Sequence, residues 1–262
     1  MLTRRHLMTT ALAATAGATL IRPFAAMAQD LTGDVYDTDG GQISIHPVAH
    51  ASFVLVTPAG VLYVDPVGGA DAYDALPDPD AVLITHEHGD HYDPDTLSAL
   101  AERAGGSLPM ITNPAVAEML APELAEGNAP LANGESGEIL GYTVDAVPAY
   151  NTTEDRLQYH PEGRDNGYVL SVDGLRIYIA GDTEDTPEFR AQEEIDIAFV
   201  PFNLPYTMTE DQAASGVAEM GPKVVYPYHF RGSDPEMFTS LLSEAGSETD
   251  VVMGGWYSQS ES

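Results

Sequence analysis

The segment Thr85-His86-Glu87-His88-Gly89-Asp90-His91 places three imidazoles and two carboxylates within seven residues. It begins where an apolar run, Ala81–Thr85, ends, and that run is typical of a buried strand. Residues two apart share one face of a strand, and in a turn that follows a strand several side chains can converge on one point. Imidazole and carboxylate are ligands that zinc accepts and that manganese and iron tolerate. The segment therefore predicts part of a metal site, formed by His86, His88, Asp90 and His91.

Composition is that of an acidic globular protein. The chain has 262 residues, 44% of them hydrophobic, and a formal net charge of −31 with a single lysine, Lys223. Such a surface repels nucleic acid and anionic membranes, so the expected partner is a small-molecule substrate. The acidity fits either a high-salt habitat, where screening weakens self-repulsion, or an ordinary acidic exported enzyme. Nothing in the sequence sets an oligomeric state.

The chain contains no cysteine. Disulfides and thiolate metal ligands are therefore both excluded. Any metal ion must be bound by nitrogen and oxygen atoms.

Residues 1–28 have the pattern of an export signal. Arg4 and Arg5 precede a weakly apolar stretch, Leu7–Ile21, and Ala26-Met27-Ala28 supplies small residues for cleavage. The paired arginines resemble the twin-arginine signal. An uncleaved anchor is the alternative, but the stretch is short and polar for a membrane span. We expect a periplasmic or secreted protein without a stable membrane anchor, consisting of one domain over residues 29–262.

Apolar and alternating runs predict a β-rich chain with helices between the strands. The predicted strands are Gln42–His46, Ala51–Thr57, Val61–Asp65, Ala81–Thr85, Tyr142–Val147, Gly167–Val172, Leu175–Ala180, Ile195–Val200, Lys223–Tyr228 and Val251–Met253. Capping and proline signals predict helices over Asp95–Ala104, after Asn113-Pro114, over Glu210–Met220 with a capping box at Thr209, and from Asp234-Pro235 to Ala245. The order predicts sheets covered by helices on their outer faces.

One internal repeat is visible. Val61–Asp65 and Arg176–Asp182 each follow a turn with an apolar strand that ends at an aspartate. Two similar halves would place Asp65 and Asp182 at the same edge of a layered structure.

Six motifs in order resemble the metallo-β-lactamase fold superfamily. Besides the histidine-rich segment they are Ala49-His50-Ala51-Ser52-Phe53, Val64-Asp65-Pro66, Ala180-Gly181-Asp182-Thr183, Tyr206-Thr207-Met208 and Pro227-Tyr228-His229-Phe230. They are similar to the branch that contains ascorbate-6-phosphate lactonase-like hydrolases. The resemblance implies an α/β (α+β) fold, a four-layer αββα sandwich with the metal site at one edge of its two sheets.

The resemblance also implies a ligand set for one or two divalent ions, zinc foremost, with manganese or iron as alternatives. His86 and His88 would bind the first ion, Asp90, His91 and His229 the second, and Asp182 would bridge them.

The usual third histidine for the first ion is replaced by Asn151, while His160 lies nine residues further on. Three interpretations stay open. Asn151 or His160 completes a two-metal site, or a single ion is held by the second set of ligands with Asp182, or the site is impaired and does not catalyse a reaction.

Several further residues have a functional interpretation, and most of them have a structural alternative. Asp90 would orient the nucleophile and shuttle its proton. His50 is a pocket residue or a hydrogen-bonded structural one, and Asp65 orients a ligand histidine or simply ends its strand. Tyr150 and Tyr206 line the substrate pocket or belong to the core.

These expectations favour an exported metal-dependent hydrolase that uses a hydroxide held by the metal against a lactone or another ester-type bond. Two alternatives stay open. One is a single-iron oxidoreductase resembling the sulfur-oxidising members of the superfamily. The other is a non-catalytic metal-binding protein.

Overall fold

Two mixed β-sheets form the centre of the protein in a computed structural model that describes residues 33–257. The segment 1–28, interpreted above as an export signal, lies outside the described residues. The first sheet has six strands in the order β1 to β6: Asp34–Thr38, Gly41–Ala49, Ser52–Thr57, Gly60–Val64, Ala81–Leu83 and Met110–Ile111. The second has seven, in the order β13 to β7; in chain order β7 to β13 are Ser136–Ile139, Tyr142–Ala149, Asp165–Val172, Leu175–Ile179, Ile197–Pro201, Val224–Tyr228 and Asp250–Val251.

Helices lie between the strands in sequence. The α-helices α1 to α6 are Pro94–Arg103, Pro114–Met119, Pro122–Ala125, Pro187–Arg190, Glu210–Met220 and Pro235–Glu244, and a 3-10 turn spans Ala70–Tyr73. Each α-helix except α5 begins with a proline, which is favoured at the first helical position because no N–H is needed there. The capping box predicted at Thr209 is present, with Gln212 bonded back to the Thr209 N–H.

Alternation along the strands explains the layers. In β3, Phe53 and Leu55 pack between the sheets, whereas Val54 and Val56 pack on the opposite face against α1 and α2. A strand buried on both faces has apolar residues at every position. Helices α5 and α6 contribute Val217 and Phe238 to the core of the second sheet. The four-layer αββα sandwich is thus confirmed.

The two halves repeat one arrangement, as the internal repeat predicts. In each, an antiparallel hairpin is followed by a parallel strand: β3 and β4 with β5, and β9 and β10 with β11. Asp65 follows β4 and Asp182 follows β10, so the two aspartates leave corresponding strands.

All ten predicted strands and all four predicted helices are present, with ends shifted by a few residues. The strands β1, β6 and β7 and the short helices α3 and α4 were not predicted. Strands β1 and β7 are mostly exposed and polar, so they lack the apolar alternation that identifies a strand. No helix within residues 33–257 has the length and hydropathy of a membrane span.

Candidate metal centre

Loops from both sheets meet at one rim of the sandwich. The first sheet supplies His50, from the turn between β2 and β3, and the segment His86–His91 after β5. The second sheet supplies three residues from the loops before β9, after β10 and after β12, namely His160, Asp182 and His229. Backbone bonds join the loops across this rim, including Asn166 N–H to Thr85 O at 3.2 Å and His229 N–H to His50 O at 3.1 Å.

Unusual backbone conformations direct several of these side chains. His50, Asp65 and His229 have positive φ angles of 45°, 44° and 48°. Such conformations cost roughly 1–3 kcal/mol each in a non-glycine residue and concentrate at functional sites. Gly181, at φ 65°, is required before Asp182 because a Cβ there would lie 2.6 Å from Asn166 O.

The first donor cluster contains His86, His88, His160 and Asp182, whose donor atoms all lie within 4.8 Å of one another. His160 Nε2 is 3.4 Å from Asp182 Oδ2, and His88 brings Nδ1 to within 3.2 Å of His86 Nε2. Of the two residues considered for the third position of this set, His160 is the one whose imidazole joins the cluster.

Asn151 has a different environment. Its amide nitrogen donates to the backbone carbonyls of Arg156 and Tyr206, and its Oδ1 is buried without a hydrogen-bond partner among the described residues. Its backbone N–H donates to His160 O at 2.8 Å. Asn151 therefore shapes the loop that carries His160.

Two further donor groups adjoin the first. One is His91, Asp182 and His229, and the other is His50, Asp90 and His229, each within 4.8 Å. Asp182 belongs to two of the three groups, with Oδ1 at 3.3 Å from His91 Nε2 and Oδ2 at 3.3 Å from His229 Nε2.

Four histidines are anchored in the same way, through Nδ1. His91 donates to Asp65 Oδ2 at 2.8 Å, and His229 donates to Asn203 Oδ1 at 2.9 Å. His86 lies 3.0 Å from Thr85 Oγ1, whose own hydrogen goes to Asp65.

The fourth is His160, which donates to Asp165 Oδ2 at 2.9 Å. A ring that donates through Nδ1 leaves the lone pair of Nε2 for a metal. These four rings therefore direct a ligand atom into the clusters.

Arg164 and Asp165 continue the support of His160. The Arg164 guanidinium binds both carboxylate oxygens of Asp165, at 2.6 and 2.8 Å, and its Nε is also 2.9 Å from Glu87 Oε1. A bidentate pair of this kind fixes orientation as well as charge. Glu87 thus contacts Arg164, which in turn binds the carboxylate that orients His160.

His50 is anchored by a tyrosine instead. Tyr257 Oη lies 2.7 Å from His50 Nδ1 and accepts the Phe230 N–H at 2.9 Å. His50 Nε2 points at Asp90 Oδ2, 3.4 Å away, and an ionised carboxylate can only accept, so Nε2 carries the imidazole hydrogen. The lone pair of Nδ1 then accepts the hydroxyl hydrogen of Tyr257. His50 is accordingly built as a donor to Asp90.

Burial and neighbouring charges shift the pKa values of the site residues in different directions. Burial, reinforced by His91, holds the pKa of His86 well below its ordinary value. Burial alone would lower the pKa of His91, but Asp182 and Asp65 raise it well above. Burial would raise the pKa of Asp182, yet His229 and His91 hold it well below its usual range. The site therefore pairs ionised carboxylates with imidazoles, which is the donor set that suits a borderline divalent cation.

Buried polar atoms without partners test whether a metal fits. His91 Nε2, His160 Nε2 and Asp182 Oδ1 are buried and lack a hydrogen-bond partner among the described residues. Buried polar atoms are normally satisfied, so each exception needs an explanation. All three face the donor clusters, and a divalent cation would satisfy them. The residues present fit the metal.

A cavity of about 560 Å³ opens above the donor clusters. Its lining includes His50, Asp90, Asp182, His229, Tyr206 and Arg231. Tyr206 is therefore part of the cavity lining. Tyr150 is not among the lining residues, because its hydroxyl donates to Glu188 at 2.8 Å and its ring is buried.

Sequence reasoning missed several residues of this site. Asn203, Asp165 and Tyr257 orient the rings of His229, His160 and His50, and Arg231 lines the cavity. None belongs to a recognised motif. The sequence offered one usable signal, since Arg231 lies two residues beyond His229 in a chain with few cations.

Comparison with known proteins gives concordant similarities. The family described as Beta-lactamase superfamily domain matches residues 44–229. A UPF0173 metal-dependent hydrolase from Thermococcus onnurineus is 30% identical over 228 residues, which cover 80% of this chain and 96% of that protein. Another from Anaeromyxobacter dehalogenans is 32% identical over 231 residues, covering 78% and 83%. A solved structure from Parabacteroides distasonis, described as a candidate metal-dependent hydrolase, has a TM-score of 0.77 and 38% identity, covering 86% of this chain and 99% of that one.

Proposed function

This chain belongs to the metallo-β-lactamase superfamily, among its UPF0173 metal-dependent hydrolases, and from that premise we propose that it cleaves a lactone or another ester-type bond of a small molecule after export. One observation carries the proposal. Asp182 is shared by adjoining donor clusters that open into a cavity large enough for a small substrate.

The proposed ligand assignment uses the first donor cluster as it stands and combines members of the two adjoining groups for a second ion. His86, His88 and His160 would hold the first ion, Asp90, His91 and His229 would hold the second, and Asp182 is the carboxylate that both sets would share. Zinc is the proposed metal, because imidazole and carboxylate are its common ligands and no cysteine is available. When bound, divalent ions supply the Lewis acidity that lowers the pKa of water from about 16 to about 7 and polarises a scissile carbonyl.

Asp90 is the proposed proton carrier. Its Oδ2 lies 3.3 Å from His229 Nε2, and its side chain is 48% exposed and lines the cavity. Burial would raise the pKa of Asp90, but the neighbouring His229 and His50 hold it below its ordinary value, so the side chain is an ionised carboxylate. Asp90 orients the attacking water, accepts its proton and returns it to the leaving oxygen.

His50 keeps Asp90 in place. Its Nε2–H faces the Asp90 carboxylate, and Tyr257 holds the imidazole from the other side. An acceptor fixed by a directed hydrogen bond stays in line with the water that it deprotonates.

Ester-type substrates are favoured for two reasons. The six motifs resemble the branch that contains lactonase-like hydrolases. The net charge of −31 disfavours polyanionic substrates such as nucleic acid. Export to the periplasm or the medium is proposed from the signal-like segment 1–28.

The test combines metal analysis with a substrate screen. Purified mature protein loaded with zinc is expected to cleave members of a panel of lactones, esters, phosphodiesters and β-lactams. Asp182→Ala should abolish that cleavage, whereas Asp211→Ala, an exposed helical position, should not. Bound iron with oxygen consumption would replace the proposal with an oxidoreductase. Absence of turnover in fully loaded protein would make the chain a non-catalytic metal binder.

A further inference from the structure

We infer that Arg231 recognises a single carboxylate on the substrate, beside the ester-type bond that the metal centre cleaves. The inference rests on the proposed function and adds the chemical class of the substrate: a monoanionic, carboxylate-bearing lactone or ester with an apolar portion.

Arg231 is one of two described cations without an acidic partner in a very acidic chain. Of the seven arginines and lysines in residues 33–257, five form ion pairs with acidic side chains: Arg103, Arg156, Arg164, Arg190 and Lys223. The other is Arg176, which lies in β10 and does not line the cavity. Arg231 is exposed and forms no ion pair with any residue of the described range. A guanidinium without a carboxylate partner, in a protein with 41 acidic residues, is available for a carboxylate from outside.

Its position is that of a substrate-binding residue. Arg231 lines the same cavity as Asp90, Asp182 and His160. Among residues 33–257, it is the only arginine or lysine in that lining. The loop that holds His229 therefore also brings the positive charge to the site.

The side chain is held in place by Tyr257. The Arg231 Cζ lies 5.5 Å from the centre of the Tyr257 ring, and that ring is fixed by hydrogen bonds to Phe230 N–H and His50. A guanidinium over an aromatic face keeps its planar edge free for bidentate bonding. Less rotamer freedom is then lost when a ligand binds.

An apolar part of the lining indicates the rest of the substrate. Tyr159 and Tyr206 lie edge to face with ring centres 5.0 Å apart, and Leu204 joins them in the lining. Leu204 and Tyr206 are 53% and 45% exposed, and they are two of the seven large apolar side chains that are exposed in the described part of the chain. A hydrocarbon portion of the substrate would cover them.

Apart from the metal ions, Arg231 supplies the positive charge that the described cavity lining offers to a ligand. A single guanidinium matches the two oxygens of one carboxylate. A second anionic group placed away from the metal ions would face Asp90 and the acidic surface.

Two matched lactones test the inference by kinetics with zinc-loaded protein. Butyrolactone-γ-carboxylate carries the charge, and butyrolactone-γ-carboxamide is its neutral counterpart. Arg231→Gln should raise KM for the carboxylate roughly 10- to 100-fold, as expected for a lost charge-assisted hydrogen bond, and change KM for the carboxamide less than about threefold. Arg231→Lys should fall between wild type and Arg231→Gln. Lys223→Gln removes one positive charge from outside the cavity and should leave both lactones unaffected. Equal effects of Arg231→Gln on both lactones would overturn the inference.

Calorimetry separates this inference from the proposed hydrolysis. Zinc-loaded wild-type protein should bind phenylacetate more tightly than phenylacetamide, and Arg231→Gln should lose that preference. If no lactone is cleaved but the preference is present and lost in the variant, the hydrolase proposal fails and the carboxylate site stands. If Arg231→Gln binds phenylacetate as wild type does, the metal ions hold the carboxylate and the inference is wrong.

Discussion

The imidazole of His160 is fixed by the carboxylate of Asp165, with Nδ1 2.9 Å from Oδ2 and both side chains buried. This contact turns His160 Nε2 toward Asp182 and gives the first donor cluster its third imidazole. His160 therefore supplies the ligand atom that the sequence motif would place at Asn151, although His160 lies further along the chain.

Replacement of His160 should change the metal content. We expect His160→Ala to lose about one metal equivalent per chain, because the first cluster would keep two imidazoles and one shared carboxylate. Asn151→Ala should retain the wild-type content, since its amide nitrogen is already bonded to backbone carbonyls. Elemental analysis of the three proteins purified together gives the answer. Unchanged stoichiometry in His160→Ala would refute the assignment.

Asp165 should matter through His160. Asp165→Asn removes the charge that holds the ring and weakens the bidentate contact with Arg164. Loss of a carboxylate that orients a ligand histidine typically lowers metal affinity about 10- to 100-fold. Competition with a chromophoric chelator measures this loss. Asp145→Asn, at a position bonded to Ser136 away from the site, is the matched control and should bind metal as wild type does.

Tyr257 should set the tautomer of His50. Nitrogen-15 NMR of the wild type is expected to show His50 protonated at Nε2, because the Tyr257 hydroxyl donates to Nδ1. In Tyr257→Phe the resonances should shift toward a mixture of tautomers, and turnover should fall roughly two- to tenfold, as expected for one lost hydrogen bond. An Nδ1-protonated His50 in the wild type would contradict the hydrogen-bond directions derived above.

The buried pair of Glu184 and Arg156 should dominate local stability. Glu184 is fully buried and also accepts hydrogen bonds from the backbone and hydroxyl groups of Thr152 and Thr153. Glu184→Ala leaves Arg156 without its partner and should lower the free energy of unfolding by about 3–5 kcal/mol. Lys223→Gln breaks a pair whose lysine is 78% exposed and should cost less than about 1 kcal/mol. Urea denaturation of the two variants compares these values, and similar costs would be evidence against the difference in burial.

Salt should stabilise the folded protein. With a net charge of −31 the folded chain repels itself, and raising ionic strength from 0.1 to 1 M shortens the Debye length from about 10 Å to about 3 Å. The Tm in NaCl is therefore expected to rise across this range, and KCl should act alike because the effect is one of screening. A Tm that stays level or falls would show that self-repulsion is not a significant term.

The strands and helices could be predicted from the sequence because the patterns that identify them lie within each element. Buried strands such as β3 and β4 are apolar throughout, and Thr209 with Gln212 marks the start of α5. Polar edge strands such as β1 and β7 owe their conformation to pairing with a neighbour, which single-sequence patterns do not encode.

The site could be predicted only in part. Residues in motifs, including His86, Asp182 and His229, do converge at the rim. The choice between Asn151 and His160 depends on how one loop folds inward, and spacing along the chain does not determine that. Likewise Asn203 and Tyr257 reach the site from loops whose sequence bears no metal-binding pattern.

The division of the donors between the two sheets also sets an order of assembly. The ribosome completes the segment His86–His91 well before it reaches Asp182 and His229, and each donor cluster needs at least one of these two later residues. None of these clusters is therefore complete before Asp182 has been made. If the chain is exported folded, the metal ions available in the compartment of synthesis determine which ion it binds. The exported protein then carries that ion to its destination.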